Sequence, residues 1–182
     1  MKRILYTIGL LWACAMTQAQ TLLPPVWQGS ADVQYSSRTI AYLPPTRIVW
    51  QETTGSSSIE GIDKLLLPGN GQAELVGGKE CVIRKRPDGK VSFLLDFGRE
   101  LQGGIQIVTG QSSRKEAKVR IRFGESVSEA MCDITPENGA TNDHAIRDFH
   151  FTLPWLGVAE IGNSGFRFVR IDVEEPDIDS LL

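Results

Sequence analysis

Polar side chains suited to a sugar or a hard cation follow a predicted strand in the middle of the chain. The segment 119–123 alternates apolar and basic residues, as a half-buried strand does, and Glu125 comes directly after its closing glycine. Further along, one short polar segment contains Asn142, Asp143 and His144. Carboxylate and amide oxygens are natural ligands of Ca²⁺ and natural partners of sugar hydroxyls. These residues predict a sugar site, with Glu125, Asn142 and Asp143 as its candidate calcium ligands.

The same residues also have a purely structural interpretation. Glu125 suits a solvated turn, or the start of a short helix at 127–131 that Ser126 or Ser128 could cap. A segment rich in Asn and Asp often hydrogen-bonds its own backbone in a turn. The sequence leaves both interpretations open.

Among the aromatic residues, Trp155 is the best candidate for stacking on a sugar ring. Its neighbours Pro154 and Gly157 mark the segment as a loop. An exposed indole can pack on the apolar C–H face of a pyranose, although most aromatic residues of a small sandwich belong to its core. We therefore expect a sugar-binding set of five residues, namely Glu125, Asn142, Asp143, His144 and Trp155.

The elements that must position these side chains are short strands. Runs of roughly five to eight residues alternate in polarity between turn signals such as Pro87–Gly89 and Gly103–Gly104, and few segments show a helical period. This pattern predicts an all-β fold, an antiparallel β-sandwich that is jelly-roll-like and of the carbohydrate-binding-module type. We also expect the segment 81–84 to form a hairpin with 91–97 across Pro87–Gly89.

Four sequence blocks resemble, in the same order, the N-terminal β-sandwich of bacterial α-L-rhamnosidases of glycoside hydrolase family 78. The likeness extends over roughly Thr46 to Pro176. The blocks are LLDFGRELQGG (Leu94–Gly104), RIRFGESVSEA (Arg120–Ala130), GATNDHAIRD (Gly139–Asp148) and SGFRFVRID (Ser164–Asp172). The resemblance implies a domain of an inverting glycosidase that acts on rhamnose-containing glycans.

What the resemblance implies for catalysis is limited by the length of the chain. Members of the family continue into a large helical barrel that holds the catalytic carboxylates, whereas this chain has 182 residues. No catalytic residue is therefore assigned to it. We expect a non-catalytic domain that binds sugar, or that docks to a barrel encoded elsewhere or lost. Two alternatives stay open: a purely structural buttress with no sugar site, and a minimal hydrolase that acts alone.

The polarity of the chain predicts four segments. Residues 1–19 have a basic start, a short apolar stretch and a small residue at Ala19, which is typical of a cleaved secretory signal peptide. An extended lead-in follows at 20–45, the β-sandwich at 46–176, and the start of a linker or a truncated end at 177–182. We expect a secreted or periplasmic protein without a membrane anchor after cleavage, the alternative being a lipoprotein anchored at Cys14.

The net charge argues against one class of partner, and the cysteines leave two possibilities open. The formal charge of −3 would become −5 once Lys2 and Arg3 are removed, and nucleic-acid binding needs a concentrated basic surface instead. We therefore exclude nucleic acid as a partner. Cys81 and Cys132 could form a disulfide in an exported protein, or each could be a small buried thiol.

Overall fold

The computed structural model describes residues 40–73, 80–110, 116–133 and 147–181. Neither helix within these ranges is long and apolar enough to cross a membrane. The elements are β1 (Arg47–Thr53), β2 (Ser58–Glu60), a 3-10 helix (Ile62–Leu66), β3 (Val82–Lys85), β4 (Val91–Thr109), β5 (Glu116–Gly124), α1 (Val127–Met131), β6 (Arg147–Pro154), β7 (Gly157–Val173) and β8 (Ile178–Leu181).

The strands form two antiparallel sheets around one core. The larger sheet has the order β1-β4-β7-β5-β6, and the smaller has the order β2-β3-β8. Alternate residues of β5, from Ala117 to Phe123, point inward and meet Ile83 and Ile178 of the smaller sheet. The predicted all-β antiparallel sandwich is confirmed, and alternation along each strand is what builds it.

β4 and β7 are long strands that bend midway. Their pairing shifts register near Gly103, and Gly162 has a φ of 92°. A Cβ on Gly162 would lie 2.8 Å from Cζ of Phe123, which points inward from β5. The far halves of the two strands therefore cross the inner face of the larger sheet. We call these halves, Ile105–Thr109 and Gly157–Ile161, the ribbon.

On the outer face of the larger sheet, α1 covers a small second core. Ala130 packs there with Leu94 and Phe168. A capping box begins the helix, because the hydroxyl of Ser126 accepts from the N–H of Glu129 (3.2 Å) and the carboxylate of Glu129 accepts from the N–H of Ser126 (3.0 Å). The short helix expected after Ser126 is confirmed.

The turn at Pro87–Gly89 connects the two sheets and does not form a hairpin. β3 pairs with β2 and β8, whereas β4 pairs with β1 and β7. The predicted hairpin between 81–84 and 91–97 is therefore wrong. Both strands bury inward residues in the same core from opposite layers, and alternation alone cannot tell a sheet partner from a facing strand.

β8 forms where the sequence predicts the start of a linker at 177–182. Ile178 is fully buried in the core, and β8 pairs with β3 from Ile178 to Leu181. Arg86 also forms ion pairs with Asp177 (2.9 Å) and Asp179 (3.1 Å). The structure differs from the expectation because the acidic residues after Pro176 are ion-pair partners of β3 and its turn.

Candidate functional site

Glu125, the first candidate ligand, lies exposed just beyond the end of β5. Its backbone N–H donates to the Glu129 carboxylate over 2.7 Å, which ties it to the helix cap. Its Oε1 is 3.4 Å from the position that a Cβ on Gly165 would take, and the side-chain oxygen of Gln102 is 3.9 Å from that position. The missing side chain at Gly165 therefore lets this carboxylate lie beside β7.

Asn142, Asp143 and His144 lie outside the described residues. The described chain resumes at Arg147, which pairs with Phe123 at the same end of β5 as Glu125. Within the described ranges, no three His, Cys, Asp or Glu side chains are grouped so that they could hold a metal ion. The calcium set of Glu125, Asn142 and Asp143 therefore stays a prediction.

Trp155 lies in the turn between β6 and β7 and is 46% exposed. The hydroxyl of Thr109 lies within hydrogen-bonding distance of the carbonyl oxygens of Pro154 (3.0 Å) and Gly157 (3.2 Å), so it fixes the turn. Pro154 pairs with Glu116 at the start of β5. Trp155 and Glu125 are therefore separated by the length of β5, about 25 Å at roughly 3.3 Å per residue. The structure does not bring these two predicted sugar ligands together.

Three polar residues that the sequence did not single out meet at Glu160 of the ribbon. The carboxylate of Glu160 accepts hydrogen bonds from the hydroxyl of Tyr42 (2.9 Å) and from the amide of Gln106 (3.1 Å). The hydrogen bond to Glu160, and the repulsion between its charge and a phenolate, raise the pKa of Tyr42. Tyr42 and Glu160 are 118 positions apart, so only the fold joins them.

A row of charged side chains crosses the outer face of the larger sheet from β6 to β7. We call it the charge ladder; its contacts are Arg120 with Asp148, Arg122 with Asp133 and Asp172, and Arg170 with Asp172. Arg122 is only 2% exposed. Burial alone would raise the pKa of Asp172, but hydrogen bonds from Ser92, Arg122 and Arg170 outweigh it and lower the pKa. Arg170 and Asp172 are therefore structural partners.

Asp96 joins three strands of the same sheet. Its carboxylate, 1% exposed, accepts two hydrogen bonds from Arg167 (2.8 and 3.0 Å) and one from Arg47 (2.9 Å). The N–H of Gly98 donates to it as well, over 2.7 Å. The bonds from Arg167, aided by Gly98 and Arg47, outweigh desolvation and hold the pKa of Asp96 at about 2.

The two cysteines of the described chain are free thiols. Cys81 is fully buried in the core, where desolvation raises its pKa to about 12. Cys132 is partly buried after α1, and its Sγ lies 3.4 Å from the carbonyl oxygen of Asp133. Of the two possibilities left open by the sequence, the structure has the unpaired thiols.

Comparisons with known proteins are sparse. No family model and no curated protein matches the chain. Four solved chains match, among them the rhamnosidase from Klebsiella oxytoca with rhamnose bound, at a TM-score of 0.42 and 16% identity. The match covers 76% of this chain and 28% of that rhamnosidase. At such a low score and identity, the function has to be argued from the residues themselves.

Proposed function

We propose that this chain is an exported, non-catalytic β-sandwich domain of an α-L-rhamnosidase-like glycoside hydrolase, and that it binds rhamnose-containing glycans. The observation that carries the sugar-binding part is the exposure of Trp155, 46% in a turn that Thr109 fixes. An indole held at the surface offers a flat apolar face to the C–H groups of a pyranose.

The arrangement of the sequence blocks supports the relation to the rhamnosidase family. Leu94–Gly104 lies in β4, Arg120–Ala130 spans most of β5 and α1, and Ser164–Asp172 lies in β7. These three strands are neighbours in the order β4-β7-β5. Blocks that are separate in the sequence therefore form one continuous unit of the sheet, which is what a shared domain would require.

The charges within these blocks support a non-catalytic role. Inverting hydrolysis needs a general acid whose pKa is raised, together with a second carboxylate across the bound ring. Asp96 and Asp172 have lowered pKa values instead, and both are held in ion pairs. Neither carboxyl group can keep a proton for donation near neutral pH.

The second part of the proposal is a calcium ion that Glu125, Asn142 and Asp143 bind. His144 contacts the sugar. The exposed carboxylate of Glu125 at the end of β5 suits a Ca²⁺ ion, which prefers several oxygen ligands. The same side-chain oxygens would then bind both the calcium ion and the sugar hydroxyls.

Isothermal titration of the full chain with L-rhamnose tests the proposal, with one series in CaCl₂ and one in EDTA. An open polar site competes with water for each hydroxyl, so we expect a dissociation constant of roughly millimolar size. Binding in CaCl₂ that is weaker in EDTA supports the calcium part. Heat in neither series rejects sugar binding, and hydrolysis of an aryl rhamnoside by this chain alone rejects the non-catalytic role.

The second candidate function is a structural buttress that docks to a helical-barrel catalytic domain. It is favoured by one observation: the charged residues of the blocks are largely used in contacts inside this domain, as in the charge ladder and at Asp96. A buttress predicts no heat with rhamnose in either series. It also predicts that this chain and a separately produced barrel domain elute together in size-exclusion chromatography.

A further inference from the structure

Exposed aromatic and polar groups occur together around the outer face of the ribbon. Along the ribbon, Ile105, Ile107, Ala159 and Ile161 point into the core. Their strand neighbours Gln106, Val158 and Glu160 point the other way because side chains alternate along a strand. Gln106 pairs directly with Glu160 across the two strands.

Large hydrophobic side chains are exposed around this face. Trp155, in the turn at one end of the ribbon, is 46% exposed, and Val158 is 45% exposed. Tyr42 reaches this face through its hydrogen bond to Glu160 and is 55% exposed. Half of the six large hydrophobic residues that the described chain exposes therefore border one short stretch of two strands.

The polar groups of this face are already arranged for hydroxyl recognition. A carboxylate has about four lone-pair sites, so the two donors recorded at Oε1 of Glu160 leave it acceptor capacity for sugar hydroxyls. Tyr42 and Gln106 hold the carboxylate in place, which reduces the entropy that a ligand must remove on binding. Successive outward residues of a strand are roughly 6.6 Å apart, a spacing that suits the width of one pyranose ring.

We propose that this surface, formed by Tyr42, Gln106, Trp155, Val158 and Glu160, binds a pyranose ring of a neutral glycan; we call it the ribbon face. The inference deepens the proposed function and rests on it, because it gives Trp155 its partners. The ring's apolar face packs on Trp155 and Val158, and its hydroxyls donate to Glu160.

A glycan fits this face better than a protein partner does. A stable protein interface buries roughly 800 Å² on each side and has a desolvated apolar centre. Here the charged carboxylate of Glu160 lies among the apolar groups, and a protein covering it would have to supply matched donors. Sugar hydroxyls supply such donors at short spacing and leave the carboxylate partly hydrated.

The test is an NMR titration of the full chain with methyl α-L-rhamnopyranoside in EDTA, where a calcium site contributes nothing. We expect the indole N–H signal of Trp155, assigned by its loss in Trp155→Ala, to shift on titration. Trp155→Ala should weaken binding about tenfold. Glu160→Gln should weaken it about three- to tenfold, since it keeps the shape of the side chain and removes the charge.

Val127→Ala is the matched control, because Val127 is an exposed apolar residue on α1 at the other end of β5. It should bind like the parent chain, and far-UV circular dichroism should show that all three variants are folded. If the parent chain binds in EDTA and neither ribbon variant is weaker, the ribbon site is rejected. Binding only in CaCl₂ rejects the ribbon site and leaves the proposed function intact. No binding in either condition rejects both.

Discussion

The charge ladder and the ribbon face share one long strand, β7, yet charged groups have opposite environments on them. In the charge ladder, Arg122 is 2% exposed and Asp172 accepts from two arginines. On the ribbon face, Glu160 also accepts two hydrogen bonds, but it remains exposed together with Tyr42.

The difference separates charges that organise the fold from charges that remain available to a ligand. A buried ion pair costs desolvation, and removing one partner leaves the other charge buried without compensation. An exposed hydrogen-bonded carboxylate adds little to folding, because water competes for the same contacts. We therefore expect substitutions in the charge ladder to change stability, and substitutions on the ribbon face to change binding.

The largest expected effect is at Arg122. Arg122→Met removes the buried cation and leaves Asp172 with one arginine fewer, so the free energy of unfolding should fall by about 3 kcal/mol. Urea denaturation followed by circular dichroism measures this loss. The control is Arg84→Met, since Arg84 pairs with Glu60 at the surface, and it should lose less than about 1 kcal/mol. Equal losses of unfolding free energy in the two variants would contradict the distinction between the buried charge and the surface charge.

Asp96→Asn should lower the free energy of unfolding by about 2 kcal/mol at pH 7, because one unit of pKa shift corresponds to about 1.4 kcal/mol. The pKa of Asp96 falls from 3.8 to about 2 on folding. The stability that Asp96 contributes is therefore complete above the pKa of the unfolded state. It is lost as the pH drops through the pKa of the folded state. Urea denaturation at several pH values should show the two proteins converging between pH 3.8 and about 2. A constant difference down to that pH would contradict the ion-pair explanation.

Gly162→Ala tests whether the bend in β7 requires glycine at this position. The residue has a φ of 92°, and the new methyl would lie 2.8 Å from the ring of Phe123. We expect a loss of about 1–2 kcal/mol in the free energy of unfolding. Gly69→Ala is the comparison, since its methyl would meet no atom closer than 3.9 Å. A melting temperature as high as that of Gly69→Ala would show that the bend tolerates a side chain.

The smallest expected change in stability is at Glu160. Glu160→Gln should alter the free energy of unfolding by less than about 0.5 kcal/mol, because the contact is at the surface. It should also lower the pKa of Tyr42 toward its usual value, since Glu160 is the main cause of the raised pKa. Ultraviolet titration of the phenol groups measures this, and Tyr42→Phe identifies which transition belongs to Tyr42. An unchanged titration curve would show that the two side chains are not joined in solution.

Local signals in the sequence predict the elements better than their partners. The alternation in β5 and the cap at Ser126 each depend on neighbours within a few positions, and both predictions are confirmed. The hairpin at Pro87–Gly89 fails because a turn between two sheets and a turn within one sheet use the same residue types. β8 is missed because its acidic residues look solvated until Arg86 is placed beside them.

The candidate site follows the same rule. The positions of Glu125 after a strand and of Trp155 in a loop are predicted correctly, and both side chains are exposed. Their separation along β5 depends on how β5 and β6 pair, which no local pattern gives. The contact between Tyr42 and Glu160 joins residues 118 positions apart. A signal for it would have to come from residues that vary together in related sequences, since the spacing alone contains none.

The continuity of β4 across its bend restricts how related proteins could diverge. Side chains alternate along the strand, so inserting or deleting one residue before the bend would turn Ile105 and Ile107 toward solvent and Gln106 into the core. Evolution could then retune ligand preference by exchanging residues on the surface, but hardly by changing the length of the strand.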